Sequence, residues 1–176
     1  MEKQGLVHIY EGDGKGKTTA AVGLAVRCAG AGGRVLFFQF LKDGSSSEIP
    51  ILKTIPNIEV ADPIPTTKFV FQMSEEEKME MADLCHKKLE KLQALAATGK
   101  VDMMILDEVI HIVNFGFVSV DEMLSFIKSK PRSMELVLTG RNPKKELIDA
   151  ADYVSEVRKI KHPYDRGIPA RRMIEL

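Results

Sequence analysis

One short run limits this chain more than any other. Gly12-Asp13-Gly14-Lys15-Gly16-Lys17-Thr18-Thr19 separates an apolar stretch, Leu6-Val7-His8-Ile9-Tyr10, from an alanine-rich one over residues 18–31. Strand, glycine-lysine loop and helix in that order form the context of a phosphate-binding loop. Closely spaced glycines let successive backbone N–H groups turn into one concavity, and the following helix adds the positive end of its dipole. Lys17 is then placed to reach β- and γ-phosphate oxygens, and the Thr18 hydroxyl to ligate Mg²⁺. The strict pattern has a further glycine where this chain carries Glu11. A glycine-rich turn with surface lysines is the competing reading, and Lys15 either adds charge against phosphate or sits in solvent.

The rest of the chain alternates strand and helix signals. Residues 34–40 are β-rich and nearly all apolar, as a strand buried on both faces must be. Residues 41–73 are irregular, with Gly44-Ser45-Ser46-Ser47, four prolines (Pro50, Pro56, Pro63, Pro65), a strand candidate at Ile58-Glu59-Val60 and the stretch 66–71. This is the expected substrate-facing region. Ser74 and Glu77 have capping-box spacing and open a long helix to about Thr98, whose apolar face is expected to comprise Met81, Leu84, Cys85, Leu89, Leu92 and Leu95. A strand over 101–106, a helix capped by Ser119, a strand over 135–138 and a helix capped by Asn142 with Pro143 following complete the series. Such alternation predicts an α/β, P-loop NTPase-like fold, with a mostly parallel sheet and helices on both faces. At 176 residues it reads as one domain, 1–176.

Composition removes several function classes. With 25 basic and 25 acidic residues no global field attracts nucleic acid or an anionic membrane, so any bound anion needs a local site. The first apolar run is too short for a signal-peptide core or a membrane span, and a cytoplasmic location is expected. Cys28 and Cys85 show no ligand spacing and read as small buried apolar residues.

A second chemical signal is the apolar run Met103 to Leu106 delivering Asp107-Glu108 to the carboxyl edge of the sheet, where ligands of open α/β folds bind. An acid there holds Mg²⁺, directly or through water. The pair also suits a helix start, with Asp as cap and Glu favouring the dipole. Arg141 follows a strand end and either forks onto phosphate or stays at the surface. The tail over 159–168 reads as a solvated turn, and His8, His86 and His111 as ordinary strand or helix residues.

Taken together, the chain resembles the P-loop ATP:corrinoid adenosyltransferases over nearly its full length. The resemblance is carried by the loop 12–19, Gln39-Phe40-Leu41-Lys42, Ile105-Leu106-Asp107-Glu108, Leu138-Thr139-Gly140-Arg141, Ala150-Ala151-Asp152, and Lys161-His162-Pro163-Tyr164 through Gly167-Ile168 to Ile174-Glu175, in the family's order. It implies that a Co(I) corrinoid, cobalamin or a precursor, attacks C5′ of ATP and expels intact triphosphate, with the nucleotide held reversed relative to other P-loop proteins. Carried over residue by residue, Gly12, Asp13, Gly14, Lys15, Gly16, Lys17, Thr18 and Thr19 bind ATP, with Arg141 on the triphosphate and Arg27 as a further ATP contact. Thr18 and Glu108 bind Mg²⁺, and Lys17, Thr18 and Glu108 are the catalytic set. The family places a Phe-x-Trp pair near the corrinoid, where it displaces the lower axial base and leaves a cobalt easier to reduce; the aligned residues are Phe69 and Phe71. Two aromatics anchoring a loop is the other reading of that pair. The resemblance further implies a homodimer and an electron donor such as a reduced flavoprotein. Two other functions remain compatible with the residues: a P-loop ATPase or small kinase releasing phosphate, and a nucleotide-dependent corrinoid-binding module.

Overall fold

The structure is a computed structural model that describes residues 4–65 and 68–175. Its strands are β1 (Val7–Glu11), β2 (Val35–Gln39), β3 (Ile58–Val60), β4 (Met103–Asp107), β5 (Glu135–Thr139) and β6 (Tyr153–Glu156). They form one sheet in the order β3-β2-β4-β5-β1-β6, with every pairing parallel. The helices are α1 (Lys17–Gly30), α2 (Glu48–Leu52), α3 (Glu75–Ala97), α4 (Val109–Asn114), α5 (Val120–Ser129) and α6 (Lys145–Asp149). None of them is long and apolar enough to cross a membrane among the described residues.

Alternation along each strand sorts the core into two layers. On one face Val35 and Phe37 of β2, Met103 and Ile105 of β4 and Val137 of β5 pack against α1 and α2. On the other, Leu36, Phe38, Met104, Leu106, Leu136 and Leu138 pack against α3, α4, α5 and α6. Every residue of β2 and β4 is therefore buried, as expected of central parallel strands. Helix α1 meets the sheet through Ala21, Ala25 and Ala29, one small residue per turn, so its axis lies close to the strands. That close seat sets the glycine-lysine loop at the carboxyl edge between β1 and α1.

Both capping boxes form as the spacing predicts. Glu77 N–H donates to Ser74 Oγ and Ser74 N–H to Glu77 Oε2, and Ser119 with Glu122 repeat the pattern at α5.

Other expectations need correction. The last helix begins at Lys145 with Lys144 at its cap, not Asn142. Asn142 instead takes a left-handed turn (φ 51°), and its carbonyl accepts from Asn114. Leu84 and Leu95 are 40% and 42% exposed. They flank the stripe formed by Met81, Cys85, Leu89, Leu92 and Ala96, whose spacing of four, four, three and four follows the helical turn. The irregular region contains the short α2 as well as β3, and α4 and β6 carry too few residues for periodicity to announce them. Thr66 and Thr67, within the stretch 66–71, lie outside the described residues.

Candidate active site

The chain leaves β1 at Glu11, which is still in register with Glu156 of β6. Glu11 is thus a regular strand residue, so the position does not need the freedom of glycine. The turn falls one residue later. Gly12 has φ 114°, and a Cβ there would lie 2.4 Å from the Val157 carbonyl oxygen. At Gly14 the same oxygen would be 2.7 Å away. The backbone after β6 lies across the loop and is bonded to it. Val157 N–H donates to Glu11 O at 2.8 Å, Gly14 N–H to Val157 O at 2.7 Å, and Lys159 N–H to the Asp13 carboxylate at 2.8 Å. That last bond, foremost, holds the Asp13 carboxyl below the usual carboxylate range.

Lys17 opens α1 and is buried, with Nζ donating to Gly14 O at 2.8 Å. Burial lowers its pKa, and the charge of Arg141 adds to this, while Glu108, Asp107 and Asp13 oppose it. The charged groups that act on Lys17 are thus Asp13, Asp107, Glu108 and Arg141. Arg141 is exposed on the turn after β5, where Gly140 (φ 150°) is required because a Cβ would come within 2.6 Å of Ile110.

Asp107, fully buried at the end of β4, is the hub. Its Oδ1 accepts from Thr139 at 2.6 Å and from Thr18 at 2.9 Å; its Oδ2 accepts from Gln39 and from Lys42, each at 3.1 Å. Parity explains the convergence. Gln39 and Asp107 continue the α1-facing rows of Phe37 and Ile105, and the two are direct neighbours in the β2–β4 register. Thr139 also accepts from Glu108 N–H at 2.9 Å, tying β5 to the start of α4.

Glu108 caps α4 from a left-handed conformation (φ 62°), with no side-chain cap bond, and pairs with His111 Nε2 at 2.9 Å. Burial alone would raise its pKa, but the His111 hydrogen bond and the charges of His111, Lys42 and Lys17 hold it below the ordinary glutamate value. A helix does start at the acidic pair, yet Asp107 is not its cap.

Thr18 donates its hydroxyl hydrogen to Asp107, which leaves its oxygen lone pairs for a ligand. With the Glu108 carboxylate close by, the donor set is all oxygen, as Mg²⁺ prefers. Among the described residues no group of three or more His, Cys, Asp or Glu is gathered into a cage. Mg²⁺ held with phosphate oxygens and waters does not need one.

Other expected residues lie apart from this cluster. Arg27 is exposed on the last turn of α1, ten residues beyond Lys17, or about 15 Å along the axis. Thr19 is exposed, and Lys15 donates to Glu175 of the carboxyl-terminal segment at 3.2 Å. The Glu175 carboxyl is pulled down to about 2, first of all by its hydrogen bond from Arg171. Phe69 caps a 3-10 turn over Val70–Gln72 and Phe71 lies within it; the two are 69% and 81% exposed, with rings stacked 5.5 Å apart. Val70, not either ring, packs the turn against the core.

Of the acidic pair, sequence reasoning assigned Glu108 to the metal and left Asp107 without a role, and it left Gln39, Lys42, Thr139 and His111 out of the site. Gln39, Lys42 and Thr139 were visible only as members of short motifs at or just after the ends of their strands.

The sequence relationships agree with this geometry. The family model for ATP:corrinoid adenosyltransferase BtuR/CobO/CobP matches residues 3–176. The corrinoid adenosyltransferase CobA of Salmonella typhimurium is 31% identical over 175 residues, covering 99% of this chain and 87% of the relative. The corrinoid adenosyltransferases of Escherichia coli K12 and Pseudomonas aeruginosa are 29% and 28% identical, covering 97% and 99% of this chain and 85% of each relative. A match of that extent, on a parallel sheet with a glycine-lysine loop at its carboxyl edge, places the chain in the ATP:corrinoid adenosyltransferase family.

Proposed function

We propose that this protein transfers the 5′-deoxyadenosyl group of ATP to a Co(I) corrinoid, cobalamin or a precursor, and releases triphosphate. The observation that carries the residue assignment is the buried Lys17 on its glycine loop, next in the chain to a Thr18 whose hydroxyl is held by Asp107. In the step itself the cobalt electron pair forms the Co–C5′ bond while the C5′–O bond breaks and its electrons leave on triphosphate. Cobalt passes formally from I to III, so an electron donor such as a reduced flavoprotein must first supply Co(I).

The leaving group gathers negative charge, and the site is built to receive it. Lys17, Arg141 and the loop N–H groups of residues 12–18 hold the triphosphate, with Asp13 setting the loop's outer end through Lys159. Thr18 and Glu108 would hold Mg²⁺, which when bound neutralises further phosphate charge. Asp107 orients Thr18 for that task, and Thr139, Gln39 and Lys42 fix Asp107. The exposed Phe69–Phe71 stack offers the apolar surface on which a corrin face can rest. A homodimer working in the cytoplasm completes the reading.

The test is product analysis after incubation with Mg-ATP and chemically reduced corrinoid. Adenosylated corrinoid and triphosphate are expected in equal amounts. Orthophosphate without adenosylated corrinoid would refute the assignment. Lys17→Ala should lower turnover by about a hundredfold or more and weaken ATP binding; wild-type rates would remove the lysine from the phosphate site.

A further inference from the structure

Helix α4 has only six residues, yet it is fastened to the turns that leave both β4 and β5. Its amino end follows Glu108, whose left-handed backbone (φ 62°) is unfavourable for a residue with a Cβ. Two backbone bonds hold that conformation: Glu108 N–H donates to Thr139 Oγ1 at 2.9 Å, and Glu108 O accepts from His111 N–H at 3.1 Å. His111 holds the side chain as well, with Nε2 2.9 Å from Glu108 Oε2. An ionised carboxylate has no hydrogen to give, so the ring supplies the donor. The contact occupies Oε2 and not Oε1.

A second row of α4 residues is fixed to the arginine turn. Ile110 lies against Gly140, and Asn114, one turn further along, donates its amide to the carbonyls of Arg141 at 2.8 Å and Asn142 at 3.2 Å. Gly140 (φ 150°) and Asn142 (φ 51°) give Arg141 a bent backbone on either side, and the Asn114 amide clasps that bend. Neither polar residue is needed to seat the helix. Val109, Ile110, Ile112 and Val113 do that from the buried side, whereas His111 is only partly buried and Asn114 is exposed.

We propose that His111 and Asn114 are positioning residues through which α4 couples the metal carboxylate to the phosphate arginine. His111 sets the Glu108 carboxylate for Mg²⁺, and Asn114 sets the backbone from which Arg141 extends to the triphosphate. The proposal rests on the roles given above to Glu108 and Arg141. Because both contacts come from one short helix, the metal ligand and the cation keep a fixed spacing, as a single Mg-bound triphosphate requires.

The experiment is a pair of double-mutant cycles on ATP binding to the full chain, read at equilibrium with Mg²⁺ and again in excess chelator. One cycle joins His111→Phe, which keeps a ring beside Phe115, to Glu108→Ala; the other joins Asn114→Leu to Arg141→Ala. With Mg²⁺, His111→Phe should weaken binding about tenfold in the wild type but less than about twofold in the Glu108→Ala background. In chelator that loss should disappear. Asn114→Leu should cost about fivefold under either condition, and less than about twofold in the Arg141→Ala background. His111→Gln, which retains an N–H donor, should recover most of the first loss. A general disturbance of α4 would instead weaken binding equally in every background. Such additivity in either cycle, wild-type affinity in either single variant, or a His111 loss that survives chelation would overturn the proposal. Product analysis of the wild type, run in parallel, reports separately on the reaction: phosphate release with both cycles coupled would count against adenosyl transfer and not against α4.

Discussion

Replacing Asp107 by asparagine is the sharpest test of the site as a network. The carboxylate is fully buried and accepts from four side chains, Thr139 and Thr18 mainly on Oδ1 and Gln39 and Lys42 on Oδ2, with Thr18 also 3.2 Å from Oδ2. In Asp107→Asn the carbonyl can keep Thr139 and Thr18, but the new NH₂ then faces Gln39 and Lys42, both donors. The bond from Lys42 is charge-assisted, worth about 1.5–3 kcal/mol. Lys42 is 30% exposed and can turn to water, which puts its loss at the low end of that range. Gln39 retains Glu48 and forfeits one neutral bond, about 1 kcal/mol. The sum is a destabilisation of about 2–3 kcal/mol, which for a chain of this size lowers the melting temperature by about 5–10 °C. The opposite amide orientation gives up Thr139 and Thr18 instead and offers no escape. Urea unfolding of both proteins in Mg-free buffer measures the difference. A loss below about 0.5 kcal/mol, the ordinary effect of a surface change, would mean that the four donors do not depend on this carboxylate.

Other perturbations separate the parts of the site. Gly12→Ala combines a left-handed φ with a 2.4 Å approach to Val157 O, and should cost more than about 2 kcal/mol and expose the 157–159 segment to proteolysis. Gly16→Ala has comparable backbone strain but meets only a side-chain carbon at 3.9 Å, so it should be the milder change; equal effects would deny that the 157–158 backbone presses on the loop. Phe71→Ala should leave stability within about 0.5 kcal/mol, because the ring is already exposed, yet reduce reaction from Co(II) far more than from pre-reduced Co(I). Equal losses in the two assays would remove the ring from the axial-base step. For Glu108, whose folded pKa lies below the ordinary value near 4.3, the stabilisation is complete above that value and fades as pH falls through the folded one. The urea-midpoint gap between wild type and Glu108→Gln should therefore narrow as pH falls below about 5, and a gap that stays constant there would deny that the groups around Glu108 favour its carboxylate.

How much of this was legible in the sequence depends on the distance over which each feature is decided. The loop, the strands on either side of it and the helices capped by Ser74 and Ser119 are written in residues a few positions apart, and they stand where the spacing put them. The Asn142 cap was misread because Asn favours two local conformations, a helix cap and a left-handed turn, and the bond from Asn114 selects the turn. Leu84 and Leu95 were misread because spacings of three and four tolerate residues up to a quarter-turn off the buried stripe. Asp107 was visible as half of an acidic pair, but its role was not. Thr18, Gln39, Lys42 and Thr139 come from three other segments, 32 to 89 positions away, and only the strand order brings them together.

The same reasoning explains the missing outer glycine of the phosphate loop. In a loop that must form its own concavity, the residue at position 11 would begin the turn, and glycine would serve it. Here β6 pairs with β1 through Glu11, and the chain beyond it runs over the turn, so that Val157 and Lys159 take hydrogen-bonding groups of Glu11, Asp13 and Gly14. The cradle is shaped by a segment nearly 150 positions away in the chain as well as by its own glycines. That segment makes glycine obligatory at Gly12 and Gly14, where it touches the loop, and leaves it dispensable at position 11. Moving the loop away from the sheet therefore means breaking its bonds to residues 157–159, so on the proposed function the stretch after β6 belongs with the nucleotide site even though none of its side chains carries a phosphate-binding motif.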